Sequence, residues 1–218
     1  MSYPHTIADL PDSLPVFPLQ GALLLPRARL PLNIFEPRYM AMVDDALAAS
    51  RTIGMIQPKV PEQTVPSDNP DLHDLGCAGR ITSFEETTDG RYLISLTGLC
   101  RFGIREELAL KNGYRRVAAD YAPWSADFDR EDREAINREQ LTGALKNYLS
   151  ARQLGADWDA IDRTPTGDLI SIVAMICPFS AMEKQALLRT RALTDRAELI
   201  ISMLLINSAG TAGTETVN

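Results

Sequence analysis

The chain contains few of the residue types on which hydrolytic and metal-dependent chemistry is usually built. Its 218 residues include two histidines, three cysteines and only four lysines. None of the lysines completes a G-x-x-x-x-G-K-[ST] P-loop, in which backbone amides and the lysine hold phosphate groups. A G-x-S-x-G nucleophile elbow is also missing. From these absences we expect no enzymatic activity and no cofactor.

Cysteine usage and hydrophobic patterning indicate the cellular compartment. The three cysteines form no C-x-x-C pair, and an odd number cannot close a full set of disulfides. Such cysteines are typical of reduced thiols in a cytosol. The N-terminus has no basic region followed by an apolar run, and no stretch approaches about 18 apolar residues. We therefore predict a cytoplasmic protein with no signal peptide and no membrane partner.

One histidine lies among possible metal ligands. His73 is close in sequence to Asp71, Asp74 and Cys77, whereas His5 is far away. Imidazole, thiolate and carboxylate groups together could bind a metal ion such as zinc. A loop histidine beside acidic residues is more often simply solvated, so we expect no metal site.

The charge balance disfavours nucleic acid as a partner. The 22 basic and 29 acidic residues give a net charge of −7. Proteins that bind nucleic acid usually show a basic footprint, because they must neutralise phosphates. The two short basic pairs, at residues 27 and 29 and at residues 115 and 116, are the only candidates for a local patch.

A proline-rich stretch, residues 14–39, dominates the first half of the chain. A helix cannot run through its five prolines, because each lacks an N–H group and clashes with the preceding turn. Extended segments are therefore predicted at 16–19, 22–26 and 29–35. Pro37 suits the first position of a helix that runs to about Ala49, with Glu36 as its N-cap.

More strands are predicted as far as residue 121. They lie at 52–57, 76–87, 91–97 and 114–121, with a long connecting loop at 58–75. Asp89-Gly90 predicts a hairpin with a type I′ turn, because both central residues of that turn need a positive φ.

The second half is predicted to be helical. Helices are expected at 131–150, around Trp158, at about 165–176, and from a Ser180–Glu183 capping box to about 191. Thr194 is expected to cap the last one. Four main helices with short links suggest a bundle. We place the boundary at 123–129, which gives a β-rich domain at 12–122 and a helical domain at 123–208.

Several separated motifs carry a family resemblance. LPVFPL at 14–19, LPL at 30–32 and IFEPRY at 34–39 resemble the start of the N-terminal substrate-binding domain of Lon proteases. The match continues with GRI at 79–81, DGRY at 89–92 and the segment 98–102. It fits the bacterial version of this domain that stands alone, without the rest of the protease. The resemblance covers about residues 12–208. It implies an α+β chain, with a PUA-like β-barrel followed by a helical bundle, and it implies no enzyme.

The resemblance also implies a function and a candidate site. It suggests a non-catalytic module that binds unfolded or apolar-rich polypeptide, or a partner protein. We take Phe35, Glu36, Arg38 and Tyr39 as candidate peptide-binding residues, although they could instead pack and secure the start of the helix. A PUA-like module for a small ligand or nucleic acid is the alternative, and a cryptic hydrolase has no residue set to support it. The sequence does not define an oligomeric state.

Overall fold

The computed structural model of the chain describes residues 4–59, 69–129 and 136–209. Within these ranges the strands are β1 (Ser13–Pro18), β2 (Arg29–Ile34), β3 (Thr52–Ile56), β4 (Leu75–Glu86), β5 (Tyr92–Lys111) and β6 (Tyr114–Asp120). The α-helices are α1 (Pro37–Ala48), α2 (Arg138–Ala151), α3 (Trp158–Arg163), α4 (Thr166–Ile176), α5 (Ala181–Arg189) and α6 (Leu193–Ala209). Short 3₁₀ helices lie at Ile7–Asp9 and Ala122–Phe128. The predicted α+β class is confirmed.

The strands close into a ring. Their order is β2-β5-β4-β3-β1-β6, and β6 also pairs with β5, so that β1, β3, β4, β5 and β6 encircle a core. β1 and β3 are parallel, and the other pairs are antiparallel. β5 makes closure possible because it is 20 residues long. Its first half pairs with β2 and β4, and its second half pairs with β6.

The ring is filled by apolar side chains from its strands. Leu14, Val16, Phe102 and Val117 are completely buried inside it. Phe102 fits because β3 contributes a glycine beside it: a Cβ on Gly54 would lie 2.8 Å from the phenylalanine ring. The core therefore depends on a large ring facing a residue without a side chain.

Two compact units are present. The first comprises Met1–Arg130 together with Phe179–Leu188, and the second comprises Glu131–Pro178 and Arg189–Asn218. The 123–129 segment, predicted as a boundary, mostly forms the 3₁₀ helix of the first unit. Compact packing is not independent folding, so the division into domains at residue 122 stays a prediction.

α5 belongs to the first unit, although it follows most of the helical half in sequence. Its Gln185 donates to the carbonyl of Leu75 at 3.1 Å and accepts from Gln57 at 3.2 Å. Lys184 donates to the carbonyl of Gly21 at 2.8 Å. The three polar side chains at positions 57, 184 and 185 are buried, so each hydrogen bond satisfies a group that water cannot reach. α5 thus packs within the first unit, whereas the sequence analysis assigned it to the helical domain; that division into domains stays a prediction.

A buried ion pair fastens the same end of the first unit. Arg101 on β5 donates from Nη2 to Asp127 at 2.5 Å, and its backbone N–H donates to the same carboxylate at 2.8 Å. The guanidinium lies 4.2 Å from the centre of the Trp124 ring and donates from Nη1 to the carbonyl of Leu188 at 3.1 Å. One side chain thus connects β5, the 3₁₀ helix and the end of α5.

Two predicted elements near the proline-rich stretch turn out differently. The segment 22–26 is not a strand but a loop with three buried leucines, Leu23, Leu24 and Leu25. It is fixed to β5 by the N–H of Arg27, which donates to Gly98. Pro26 has no N–H for a sheet, and the chain turns sharply here because Arg27 has a φ of +66°.

The type I′ turn also lies elsewhere. Gly90 has a φ of +78°, but Asp89 does not have a positive φ. The loop of the β4–β5 hairpin is longer than the two residues of a type I′ turn, because the N–H of Thr87 donates to the carbonyl of Arg91. Two adjacent positive φ values, +49° and +83°, occur instead at Asn112-Gly113 between β5 and β6. The prediction of turn type at residues 89–90 is therefore wrong.

The helical starts follow their capping groups. The side chain of Asn137 accepts from the N–H of Gln140 at 3.0 Å, so α2 begins at Arg138; residues 131–135 of the predicted helix lie outside the described ranges. The Ser180–Glu183 capping box is confirmed, with reciprocal bonds of 3.2 and 2.7 Å. α6 begins before Thr194, so Thr194 is not its N-cap.

Candidate functional site

The four candidate residues surround the start of α1, but they occupy different environments. Phe35, between β2 and α1, is 61% exposed. Glu36 is the N-cap residue of α1, yet its side chain makes no capping bond. Its carboxylate instead accepts from Nε and Nη2 of Arg38 at 3.0 and 2.9 Å. The two charges therefore neutralise each other at the surface.

Tyr39 is the buried member of the group. Its ring centroid lies 4.2 Å from that of Phe17 on β1, and the residue is 7% exposed. The Arg38 guanidinium carbon sits 4.7 Å from the same ring, a distance suited to a cation–π contact. Burial raises the pKa of the Tyr39 hydroxyl. The structural interpretation of these residues and the binding interpretation are thus compatible.

Arg38 and Tyr39 also line a groove of about 390 Å³ in the first unit. Its lining is rich in proline and aromatic residues: Pro18, Arg38, Tyr39, Pro58, Asn69, Pro70, Leu110, Gly113, Tyr114 and Arg115. Phe35 and Glu36 are not among the lining residues. We refer to this feature as the α1 groove.

One wall of the α1 groove is the tip of the β5–β6 hairpin, which is anchored on α1. The hydroxyl of Tyr114 donates to Asp45 at 2.7 Å, and the Asn112 amide donates to the same oxygen at 3.1 Å. The hydrogen bond from Tyr114 is the main cause of the lowered pKa of Asp45. A Cβ on Gly113 would come within 3.3 Å of Cβ of Arg38. The tip and α1 therefore meet closely along this wall.

The other wall is fastened through Arg115. Its guanidinium donates to the carboxylate of Glu107 at 2.5–3.1 Å and to the carbonyl of Pro70 at 2.6 Å. On the same side, Pro58 pairs with Leu72 in an isolated bridge. The predicted long loop is thus held at its ends, and its residues 60–68 lie outside the described ranges.

The chemistry of the α1 groove suits binding rather than reaction. Both of its arginines are paired with carboxylates, and Leu110 is 64% exposed. The hydrogen bonds of Arg38 to the described residues use Nε and Nη2, so its Nη1 makes none with them. An apolar lining with a few fixed donors is the usual composition of a ligand site.

Sequence reasoning identified only part of this groove. It selected Arg38 and Tyr39, but it missed the hairpin tip, although Asn112-Gly113 is a strong hairpin signal. It also missed the pairing of Arg115 with Glu107, because no local pattern reveals a contact across two strands.

Other site types find no support among the described residues. In ranges 4–59, 69–129 and 136–209, no three His, Cys, Asp or Glu side chains are grouped so that they could hold a metal ion. No helix in the described part of the chain has the length and apolar character needed to cross a membrane.

Solved structures share the fold. The Lon N-terminal domain protein from Xanthomonas campestris superposes with a TM-score of 0.58 at 23% identity, covering 87% of this chain and 97% of its own. The N-terminal domain of Lon protease from the Mycobacterium avium complex gives a TM-score of 0.54 at 18% identity, covering 88% of this chain and 97% of its own. At this identity, the likeness establishes the fold alone.

Sequence relatives extend the comparison. Lon protease 2 of Myxococcus xanthus is 26% identical over 90% of this chain and 24% of its own length. Lon protease 2 of Sorangium cellulosum is 27% identical over 88% of this chain and 24% of its own. The chain thus spans about a quarter of the length of these relatives. The family model described as the ATP-dependent protease La (LON) substrate-binding domain matches residues 13–205, and the chain belongs to this family.

Proposed function

We propose that the chain is a non-catalytic module that binds unfolded or apolar-rich polypeptide in the α1 groove. The observation that carries the proposal is the lining of that groove, in which prolines, tyrosines and an exposed Leu110 surround charge-neutralised arginines. The family description as a substrate-binding domain supports it. No P-loop or nucleophile elbow occurs in these 218 residues, so we propose binding without catalysis.

The groove favours a segment in extended conformation. Proline and tyrosine side chains present flat apolar surface without demanding a particular partner side chain. A donor such as Nη1 of Arg38 can hydrogen-bond a backbone carbonyl, which every polypeptide carries. Recognition by shape, apolar area and main-chain groups tolerates many sequences. Phe35, exposed just before α1, adds apolar area next to the groove.

Binding should be weak and resistant to salt. An unfolded client loses chain entropy when it is held, and that loss offsets much of the gain from apolar burial. A dissociation constant in the micromolar range or weaker follows, about −8 kcal/mol or less favourable. Burial of apolar surface is not screened by salt as surface ion pairs are.

The cytosol is the proposed compartment. All three cysteines are buried and none forms a disulfide, and reduced thiols are the rule in a reducing environment. A client there would be a cytosolic polypeptide with exposed apolar segments.

The test is a titration of a fluorescent, permanently unfolded protein at low and at high salt. Leu110→Asp should weaken binding at least about tenfold, because it removes an apolar side chain worth about 1.5–3 kcal/mol when buried. Leu154→Asp is the matched control, since Leu154 is also exposed but belongs to the second unit. Equal effects of the two variants would refute the α1 groove as the site.

Two further outcomes are decisive. Absence of binding at about 100 µM protein would refute the proposed function, because it lies well above the micromolar range expected. Binding that appears only at low salt would indicate a charged partner instead of an apolar one.

A further inference from the structure

A second surface of the first unit has the features of an interface. It is the outer face of β2, β5 and β4, where side chains form three rows across the strands. The rows are Arg29–Thr97–Thr82, Pro31–Ser95–Ser83 and Asn33–Leu93–Glu85. Alternate residues of the same strands, including Ile34, Ile94 and Leu96, are buried on the opposite side. We call the three rows the outer sheet face.

The middle of this face is a shallow hollow of about 360 Å³. Pro31, Ser83 and Ser95 line it with small side chains. Leu93, which is 41% exposed, and Glu85 also line it. An exposed apolar side chain next to a hollow of small residues suits packing against a second protein surface, because the side chain of one surface can enter the hollow of the other.

Two opposite charges occupy opposite corners of the face. Arg29 at the β2 corner and Glu85 at the β4 corner are both exposed. Neither makes an ion pair or a side-chain hydrogen bond with any residue in the described ranges. With about 4.8 Å between strands and about 3.4 Å per residue, their Cα atoms lie about 17 Å apart, too far to pair within one chain.

From this arrangement we infer that the outer sheet face binds a second copy of the same chain. In a two-fold contact, each surface meets itself, so a face with a cation at one corner and an anion at the opposite corner is complementary to its own copy. A two-fold axis that runs along the other diagonal, from Asn33 to Thr82, brings Arg29 of each copy to within about 6 Å of Glu85 of the other, measured in the plane of the sheet.

The same axis also matches the rest of the face. It places Leu93 close to Pro31 of the second copy, and it crosses the strands of the two sheets at about 70°, because the face is about 14 Å long and about 10 Å wide. Both charge pairs and both apolar contacts are thus satisfied by a single arrangement.

The contact should be weak. The face is three strands wide and six residues long on β2, which corresponds to roughly 250 Å² per copy, well below the about 800 Å² per partner of stable complexes. We therefore expect a dissociation constant of roughly 0.1–1 mM. Exposed ion pairs contribute little to such a contact but select the orientation, since like charges placed together oppose it.

Sedimentation velocity over a concentration series, up to about 1 mM, tests the inference. The unchanged chain should show a rising average mass. Arg29→Glu and Glu85→Arg should each remain monomeric, because each places like charges together at both corners. An equimolar mixture of the two variants should associate again, since both of its corner pairs are then opposite in sign.

Matched controls make the same charge changes elsewhere. Glu86→Arg lies next to Glu85 but on the opposite side of the strand, and Arg105→Glu lies beyond the face on β5. Both should associate like the unchanged chain. A chain that stays monomeric throughout the series, or charge variants that still associate alone, would overturn the inference. The inference would also be overturned if Arg29→Glu and Glu85→Arg both lost client binding while the unchanged chain formed no dimer. The outer sheet face would then be a site for clients.

Discussion

Gly98 on β5 holds the loop that carries three buried leucines, and adding one methyl group there should damage the barrel. The N–H of Arg27 donates to the carbonyl of Gly98 at 2.8 Å, and the N–H of Gly98 donates to Ala28 at 2.9 Å. A Cβ on Gly98 would lie 2.0 Å from the carbonyl oxygen of Leu25. Since that oxygen belongs to the backbone, it cannot rotate away as a side chain could.

The size of the effect of Gly98→Ala follows from these contacts. Forcing an extra carbon into a well-packed site usually destabilises by about 1–3 kcal/mol. Displacing the loop also strains two hydrogen bonds, each worth about 0.5–1.5 kcal/mol. We therefore expect the free energy of unfolding to fall by about 2–6 kcal/mol, a large share of the about 5–15 kcal/mol typical of a domain.

Urea denaturation followed by far-UV circular dichroism measures this loss. Gly103→Ala is the matched control on the same strand, because its Cβ would meet its nearest neighbours at 3.8 and 3.9 Å, an ordinary contact distance. The control should change the unfolding free energy far less. If Gly98→Ala came within about 0.5 kcal/mol of the unchanged chain, the size of a neutral surface substitution, the close approach of loop and strand would be refuted.

Three other predictions concern single residues. Asp127→Ala should destabilise the protein by about 3–5 kcal/mol, because it leaves the Arg101 guanidinium buried without its carboxylate. The double variant Arg101→Met with Asp127→Leu should recover much of that stability, because both buried charges are then gone. Calorimetry measures both changes, and a double variant whose loss equals the sum of the single losses would contradict this prediction. Gly143→Ala should stabilise by up to about 1 kcal/mol, since Gly143 is inside α2 and nothing lies within 4 Å of an added Cβ; a lower melting temperature would count against it. Burial raises the pKa of the Cys100 thiol from 9.0 to about 12, so the folded state should lose stability as the pH rises from 9 towards 12. Iodoacetamide at about pH 8 should label Cys100 only after the chain unfolds. Rapid labelling of Cys100 in the native chain would show that the thiol is exposed and would contradict the prediction.

The strands were largely predictable, because proline, glycine and alternating apolar residues act locally. The predicted 29–35 and 52–57 segments correspond to β2 and β3, each within one residue at its ends. Closure of the ring could not be predicted from the hydrophobic pattern, because it depends on the pairing of β5 with both β4 and β6, which are contacts between distant parts of the chain. It was expected only from the family resemblance. The strand predicted at 22–26 is wrong because its buried leucines favour a strand locally, whereas the ladder-like hydrogen bonds to Gly98 on β5 are made by the next two residues, Arg27 and Ala28.

The candidate site was only half predictable for a related reason. Arg38 and Tyr39 lie in a contiguous motif, so the sequence could select them together. The opposite walls come from positions about 20 to 75 residues away in the chain, and only the folded barrel brings them near α1. The contacts of α5 with the first unit were not predictable, because its sequence is that of an ordinary amphipathic helix. The acceptors that bind its buried Lys184 and Gln185 are backbone carbonyls, which carry no sequence signal.

The route of the chain through α5 has a consequence for anyone who wishes to divide this protein. A fragment that stops at residue 129 would lack α5, to which the side chains of Gln57 and Arg101 donate hydrogen bonds. Its barrel would therefore present unsatisfied polar atoms, and a genetic cut in the obvious place should yield an insoluble product. A synthetic peptide spanning 178–190, supplied to that fragment, should restore its fold in trans, as a missing strand restores a split reporter.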